Sequence, residues 1–208
     1  MNHLPIATTS FKRSLVKAAF LLVVLCCFTG CGNMQVKIRQ PNFFTSIPEP
    51  RGSVMLRVSD ERWTTGRIGV IRGGFGNEVQ DIVLADNLTA AFTNLFTHAL
   101  EAKGYSVVSQ TNAQLDVKIT MFVMDTTGWG KFARHKATLQ LRDAHGEIQW
   151  EENLLGEAAG ATGWRLDVTT SMEDCMNLAL ERMIEQAIHE LSSEFFIQRV
   201  QKLNQSSP

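Results

Sequence analysis

Hydrophobic and polar positions along the chain divide it into an apolar leader, a proline-containing spacer and an alternating α+β pattern. Ala18 to Phe28 is an uninterrupted apolar run of 11 residues. A membrane-spanning helix needs about 20. Further along, Val54, Leu56 and Val58 alternate with Met55, Arg57 and Ser59, which is the period of a strand with one buried face. Ile68, Val70 and Ile71 suggest a brief second strand inside a Gly/Arg-rich stretch, 62–77. Asn77, with Gln80 three residues on, reads as the capping box of a first helix. Its stripe runs through Leu84, Leu88, Phe92, Leu95, Phe96 and Ala99 to a stop at Gly104. A short strand follows at Tyr105 to Ser109.

Leu115, Val117, Ile119, Met121 and Val123 predict a long strand with all five on one face. His135, Ala137, Leu139 and Leu141 line the next, Asp143 to Gly146 form a turn, and Ile148, Trp150 and Leu154 continue the inward face. Thr170, with Glu173 at the third position, starts a last helix whose stripe runs from Met172 to Phe195. The order predicts an α+β domain, a mostly antiparallel sheet with two helices packed on one face. A lipoprotein signal and a tether precede it.

The leader sets the location. Lys12, Arg13 and Lys17 precede the apolar run and small residues follow it, as in a secretory signal. Phe28-Thr29-Gly30-Cys31 has the form of a lipobox, with Phe28 where Leu is usual, and makes Cys31 the lipidated residue. Residues 1–30 are then the signal, 31–51 the lipidated cysteine and extended tether, 52–202 a single globular domain and 203–208 a disordered tail. The tether contains Pro41, Pro48 and Pro50. At about 3.1 Å per residue it lifts the domain roughly 50–60 Å from the membrane. A short strand at Val36 and Ile38 is the alternative to a plain spacer. By resemblance to lipoproteins sorted in Gram-negative cells, Gly32, rather than Asp, after the cysteine implies the outer membrane, with the domain facing the periplasm.

Cleavage removes three positive charges and no acid, leaving 17 basic and 21 acidic residues, a formal net of −4. That argues against nucleic acid as a partner. Only Cys175 remains beyond the lipidated cysteine, so no intramolecular disulfide forms. No histidine shows metal-ligand spacing, and no cofactor or nucleophile motif is present. The chain reads as no enzyme, with no cofactor and no metal.

Candidate binding residues fall in glycine-flanked loops. Trp63, Trp129 and Trp164 are interface-type aromatics. Arg67 and Arg72 lie beside the glycine turn carrying Phe75. Each has a bland alternative: a Trp lid over an open sheet end, a flexible glycine connection, Asp60 capping a turn while Arg62 pairs with a carboxylate. His135 and Cys175 read as core.

Taken together, the lipobox cysteine, the tether, Asp60-Glu61-Arg62, Ile68-Gly69, Ala102-Lys103-Gly104-Tyr105 with Val107, Leu115-Asp116-Val117 and the long C-terminal helix resemble the YajG-type periplasmic lipoproteins. The resemblance covers most of 31–202. It implies an outer-membrane lipoprotein of unassigned role and no catalytic residues. The expected function is a non-enzymatic binding or adaptor domain of the cell envelope. It is held to the membrane by its N-terminal lipid and takes an unknown envelope protein or glycan as partner. The alternative is a peptidoglycan- or anionic-glycan-binding protein using the Trp loops and the two arginines.

Overall fold

The computed structural model describes residues 32–41, 49–73, 75–127, 130–161 and 168–206. The signal, Cys31, Trp129 and Trp164 lie outside them. Alternating residues build a five-stranded sheet from β2 (Gly52–Asp60), β5 (Tyr105–Val107), β6 (Gln114–Thr127), β7 (Gly130–Arg142) and β8 (Ile148–Ala161). Its order is β5-β2-β6-β7-β8. β2 runs parallel to β5 and β6, while the long β6–β7 and β7–β8 ladders are antiparallel. A second sheet has the order β1-β4-β3, from β1 (Met34–Val36), β3 (Gly69–Arg72) and β4 (Glu78–Leu84). The α+β class and the predominance of antiparallel pairing agree with the sequence pattern.

Three helices among the described residues pack on the five-stranded sheet. They are α1 (Leu88–Ala102), α2 (Val168–Leu191) and α3 (Glu194–Gln205). The stripe of α1 buries Phe92, Leu95, Phe96 and Ala99. α2 lies along β7 and β8 and buries Met172, Met176, Ala179 and Met183. Burial of this kind contributes about 25 cal/mol per Å² of apolar surface.

Four local expectations are corrected. Glu78–Leu84 is a strand, so the first helix starts at Leu88 and not at Asn77. Asn87 is the true cap, its side-chain oxygen accepting from Ala90 N–H at 2.9 Å, while Asn77 closes the β3–β4 turn by accepting from Gly73 N–H. The Leu84 stripe reads as helical because one of the two strands that hold Ile82 in a sheet, β1, is remote in sequence, and the other, β3, is a strand of only four residues.

Residues 34–39 belong to the folded unit, not to a spacer. β1 pairs in parallel with β4, and Val36 is fully buried. Lys37 and Arg39 N–H donate to Glu173 and Asn177 on α2, and Ile38 N–H donates to Asp86.

The last helix is two helices. Ser193 caps α3 by accepting from Phe196 N–H. α3 runs through the supposed tail, where Asn204 bonds both Ser53 N–H and Ser53 C=O.

Finally, β6 carries a bulge between Ile119 and Met121. A bulge inserts one unpaired residue and flips the faces beyond it. Phe122, Met124 and Thr126 therefore point into the core, and Met121 and Val123 do not.

Candidate functional site

The bulge makes a site. β2 pairs with β6 only as far as Asp60↔Ile119, where Glu61 N–H donates to Ile119 C=O at 2.9 Å. The chain then leaves the sheet through Arg62 to Arg67. It returns at Ile68, whose carbonyl accepts from Met124 N–H at 2.8 Å. Arg72 N–H donates to Thr126 Oγ1 at 2.7 Å and holds β3 across the end of β6. Between the two crossings is a cleft of about 280 Å³. The loop supplies Arg62, Trp63 and Thr64, β3 and β4 supply Arg72 and Glu78, and β6 supplies Thr120 to Val123 and Asp125.

Gly69 permits this crossing. A Cβ there would lie 1.3 Å from Met124 O, so β3 would have to lift off β6. Gly69→Ala is expected to cost about 1–3 kcal/mol. It should also speed amide exchange at Met124, measured by exchange mass spectrometry or NMR.

Trp63 stands on the rim, 99% exposed. Arg67 is not a free cation. It binds Asp81 at 2.8 Å and Glu78 at 3.2 Å, and these hydrogen bonds raise its pKa. Arg72 reaches Asp125 at 3.4 Å and Glu78 at 3.6 Å. Arg62 grips Asp60 with two bonds of 2.8 Å and holds its carboxyl below the usual range. Asp60 also accepts from Arg62 N–H, so one residue both caps the turn and pairs with the arginine. The Arg67 pairs are exposed and contribute little stability, roughly 0–1 kcal/mol, whereas the Arg62–Asp60 pair is mostly buried. Their consequence is chemical: the arginines meet an incoming anion already paired.

The structure thus brings Trp63, Arg67 and Arg72 to one cleft. Phe75, 103% exposed, sits on the β3–β4 turn beyond its lining. Trp129 and Trp164 fall outside the described residues, although Gly130 and Ala161 beside their loops are cross-strand neighbours. Met121, Val123, Glu78 and Asp125 are lining residues that the sequence reading missed. Alternation had placed the first two in the core, and a bulge has no composition signal.

His135 and Cys175 take no part. His135 is fully buried, stacked on Phe122 with ring centroids 3.8 Å apart. Its Nε2 bonds Met176 C=O at 3.0 Å. Burial pushes its pKa down to about 4. Cys175 is buried beside Ala158, and burial raises its thiol, which suppresses the nucleophilic thiolate. No His, Cys, Asp and Glu cluster suited to a metal occurs among the described residues. The cleft offers an exposed aromatic face and internally paired charge, which suit binding.

Comparison with known proteins finds likeness to lipoproteins of unknown function. The family of uncharacterized lipoproteins matches residues 49–144. The match covers a little under half of the chain and supports likeness to the lipoproteins. No helix of the described residues is long and apolar enough to cross a membrane. No curated protein matches the sequence. A crystal structure of a protein from Xanthomonas campestris is similar over 81% of this chain and 98% of its own, at 14% identity and TM-score 0.55. That likeness shows a shared fold. A minor lipoprotein from Acinetobacter baumannii aligns at 11% identity over 73% of this chain and 96% of its own, with TM-score 0.43. A lipoprotein from Neisseria meningitidis aligns at 10% identity over 67% and 99%, with TM-score 0.39.

Proposed function

We propose that the chain is a YajG-like lipoprotein, anchored through Cys31 in the outer membrane and facing the periplasm. Its domain is a non-enzymatic adaptor that binds an envelope partner at the cleft between β3 and β6. The single observation that carries the binding reading is Trp63, a large aromatic left almost fully in water on the rim of a formed cleft. Clefts that combine apolar lining with a few polar groups are the usual binding sites, and tryptophan is enriched among residues that dominate binding energy. The pairing of Arg67 and Arg72 with carboxylates favours a protein partner over an anionic glycan.

Two experiments test the reading. Cys31→Ser should abolish lipid labelling and move the protein to the soluble periplasmic fraction, whereas continued membrane partition would refute the anchor. A short amine-reactive cross-linker applied to membranes should trap a discrete complex with the wild type. Trp63→Ala should reduce its yield about tenfold or more, the scale of a residue worth 2 kcal/mol, and Glu185→Ala should retain it. Equal yields from wild type and Trp63→Ala would overturn the proposed surface.

A further inference from the structure

Only a short piece of chain joins the lipid-bearing cysteine to the fold. Two residues, Gly32 and Asn33, separate Cys31 from Met34, where β1 begins. β1 is paired along its length with β4, and Val36 is fully buried, so the strand supplies no slack. An extended chain spans at most about 3.3–3.6 Å per residue, which keeps the lipid attachment within roughly 10 Å of Met34.

Strand pairing sets the direction. β1 runs parallel to β4, with Met34 opposite Ile82. β4 begins upstream of Ile82 at Glu78, directly after the β3–β4 turn. The chain therefore enters β1 from the end of the small sheet that carries this turn. Cys31 is three residues before Met34, and Val79 is three residues before Ile82.

That end is apolar. Phe75 is 103% exposed and Val79 62%, and with Trp63 they are the three most exposed large apolar side chains among the described residues. The turn is closed. Gly73 N–H donates to Asn77 C=O at 2.9 Å, and Gly76, at φ +80°, donates from its N–H to Gly73 C=O at 2.8 Å. Phe75 is thus held at a formed tip. β3 runs beside β6 in the same sense, from Ile68 at Met124 to Arg72 at Thr126, so the tip lies towards the β6–β7 end of the long strands. The β7–β8 turn is at their other end, about 40 Å away along β6 and β7.

One exposed apolar residue needs no explanation. Two at the end where the lipid-bearing segment joins the fold do. Resting on the lipidation of Cys31, we propose that the β3–β4 turn docks on the bilayer that holds the lipid, with Phe75 in the acyl region and Val79 at the headgroups. The domain then sits on the membrane surface, and not the roughly 50–60 Å above it that a free tether would give. Glu78 and Asp81 near the tip are paired with Arg67, and Glu78 also with Arg72. Insertion therefore rests on apolar area and not on attraction to anionic lipid. The anchor makes it an intramolecular step, which raises the effective concentration of the tip at the bilayer.

The test uses the mature lipidated protein, reconstituted through its own lipid into vesicles of phosphatidylethanolamine and phosphatidylglycerol. An environment-sensitive dye is attached at Phe75→Cys, at Val79→Cys or, as the control at the far end of the sheet, at His145→Cys, an exposed position. Cys175 is buried and stays unlabelled. Lipids brominated on their acyl chains should quench the dye at 75 about twofold or more, quench it less at 79 and leave it unchanged at 145, in the order of depth that an apolar tip takes in a bilayer. Quenching at 75 should be equal in low and high salt, because apolar insertion is not screened. Quenching at 75 no greater than at 145 would overturn the inference, as would quenching that high salt abolishes. Mass spectrometry of the same preparation reads the acyl chains on Cys31. Acyl chains present with position 75 still in water leave the anchor standing and the docking wrong. Acyl chains absent remove both.

Discussion

Gly156→Ala is expected to destabilise the domain by about 3 kcal/mol or more, lowering Tm by roughly 10 °C at 2–4 °C per kcal/mol for a chain of this size. Gly156 pairs across the strands with His135 on the face beneath α2. A Cβ there would lie 1.9 Å from Ala179 O and 2.8 Å from Met183 Cβ. The first of these is helix backbone and cannot rotate away. Overpacking commonly costs about 1–3 kcal/mol, sometimes more, and displacement of a helix by a methyl group belongs at the top of that range. Moving α2 also disturbs the seam it makes with Ala133, Ala137 and Ala158, all buried in the same core. Urea denaturation of Gly156→Ala beside Gly66→Ala measures the effect, because a Cβ at Gly66 meets nothing within 4 Å. An unchanged midpoint for Gly156→Ala would contradict the close approach of helix and sheet.

The second large effect is a loss of stability in mild acid at the same seam. His135 titrates near 6.5 when unfolded and near 4 when folded, because burial penalises the charged ring. Above pH 6.5 it is neutral in both states and affects stability little. As pH falls from 6.5 towards 4, the unfolded chain takes up a proton that the folded chain refuses. The native state is therefore disfavoured by roughly 3 kcal/mol at pH 4, and the loss levels off within about one pH unit below that. The drop is measured by urea unfolding at pH 7.5, 6, 5 and 4. His135→Leu leaves Met176 C=O without this partner and starts from a lower stability, but its curve should lack that drop. Parallel pH curves for the wild type and His135→Leu would refute the assignment.

Most of the fold was legible because its core strands and helices bury one face. The alternation of Leu115, Val117 and Ile119, and of Ala137, Leu139 and Leu141, predicts two strands, and all six of these residues are buried. From Leu88 to Ala99 and from Met172 to Leu191 the helical stripes lie where the apolar spacing puts them, while Leu84 and Phe195, at their predicted ends, belong to β4 and α3. What stayed hidden depended on remote partners or on one inserted residue. Val36 is a core residue only because β4 lies beside it. Glu78–Leu84 is a strand only because β1 and β3 flank it. The bulge after Ile119 reverses the faces of Met121 and Phe122, so the lining of the cleft was read as core and a core ring was assigned no role. For the site, the Trp63 loop and the arginines were visible as unusual residues in a glycine-rich stretch. Their pairing with Glu78, Asp81 and Asp125 depends on the β3–β4 hairpin, which the helix reading of 77–84 concealed.

The most direct measurement is site-specific photo-crosslinking in living cells, with the probe at position 63 and a control probe at Glu185, exposed on α2. A cleft that binds an envelope partner predicts a discrete protein adduct from position 63 and none from 185. No adduct from 63, or the same adducts from both positions, would contradict the account.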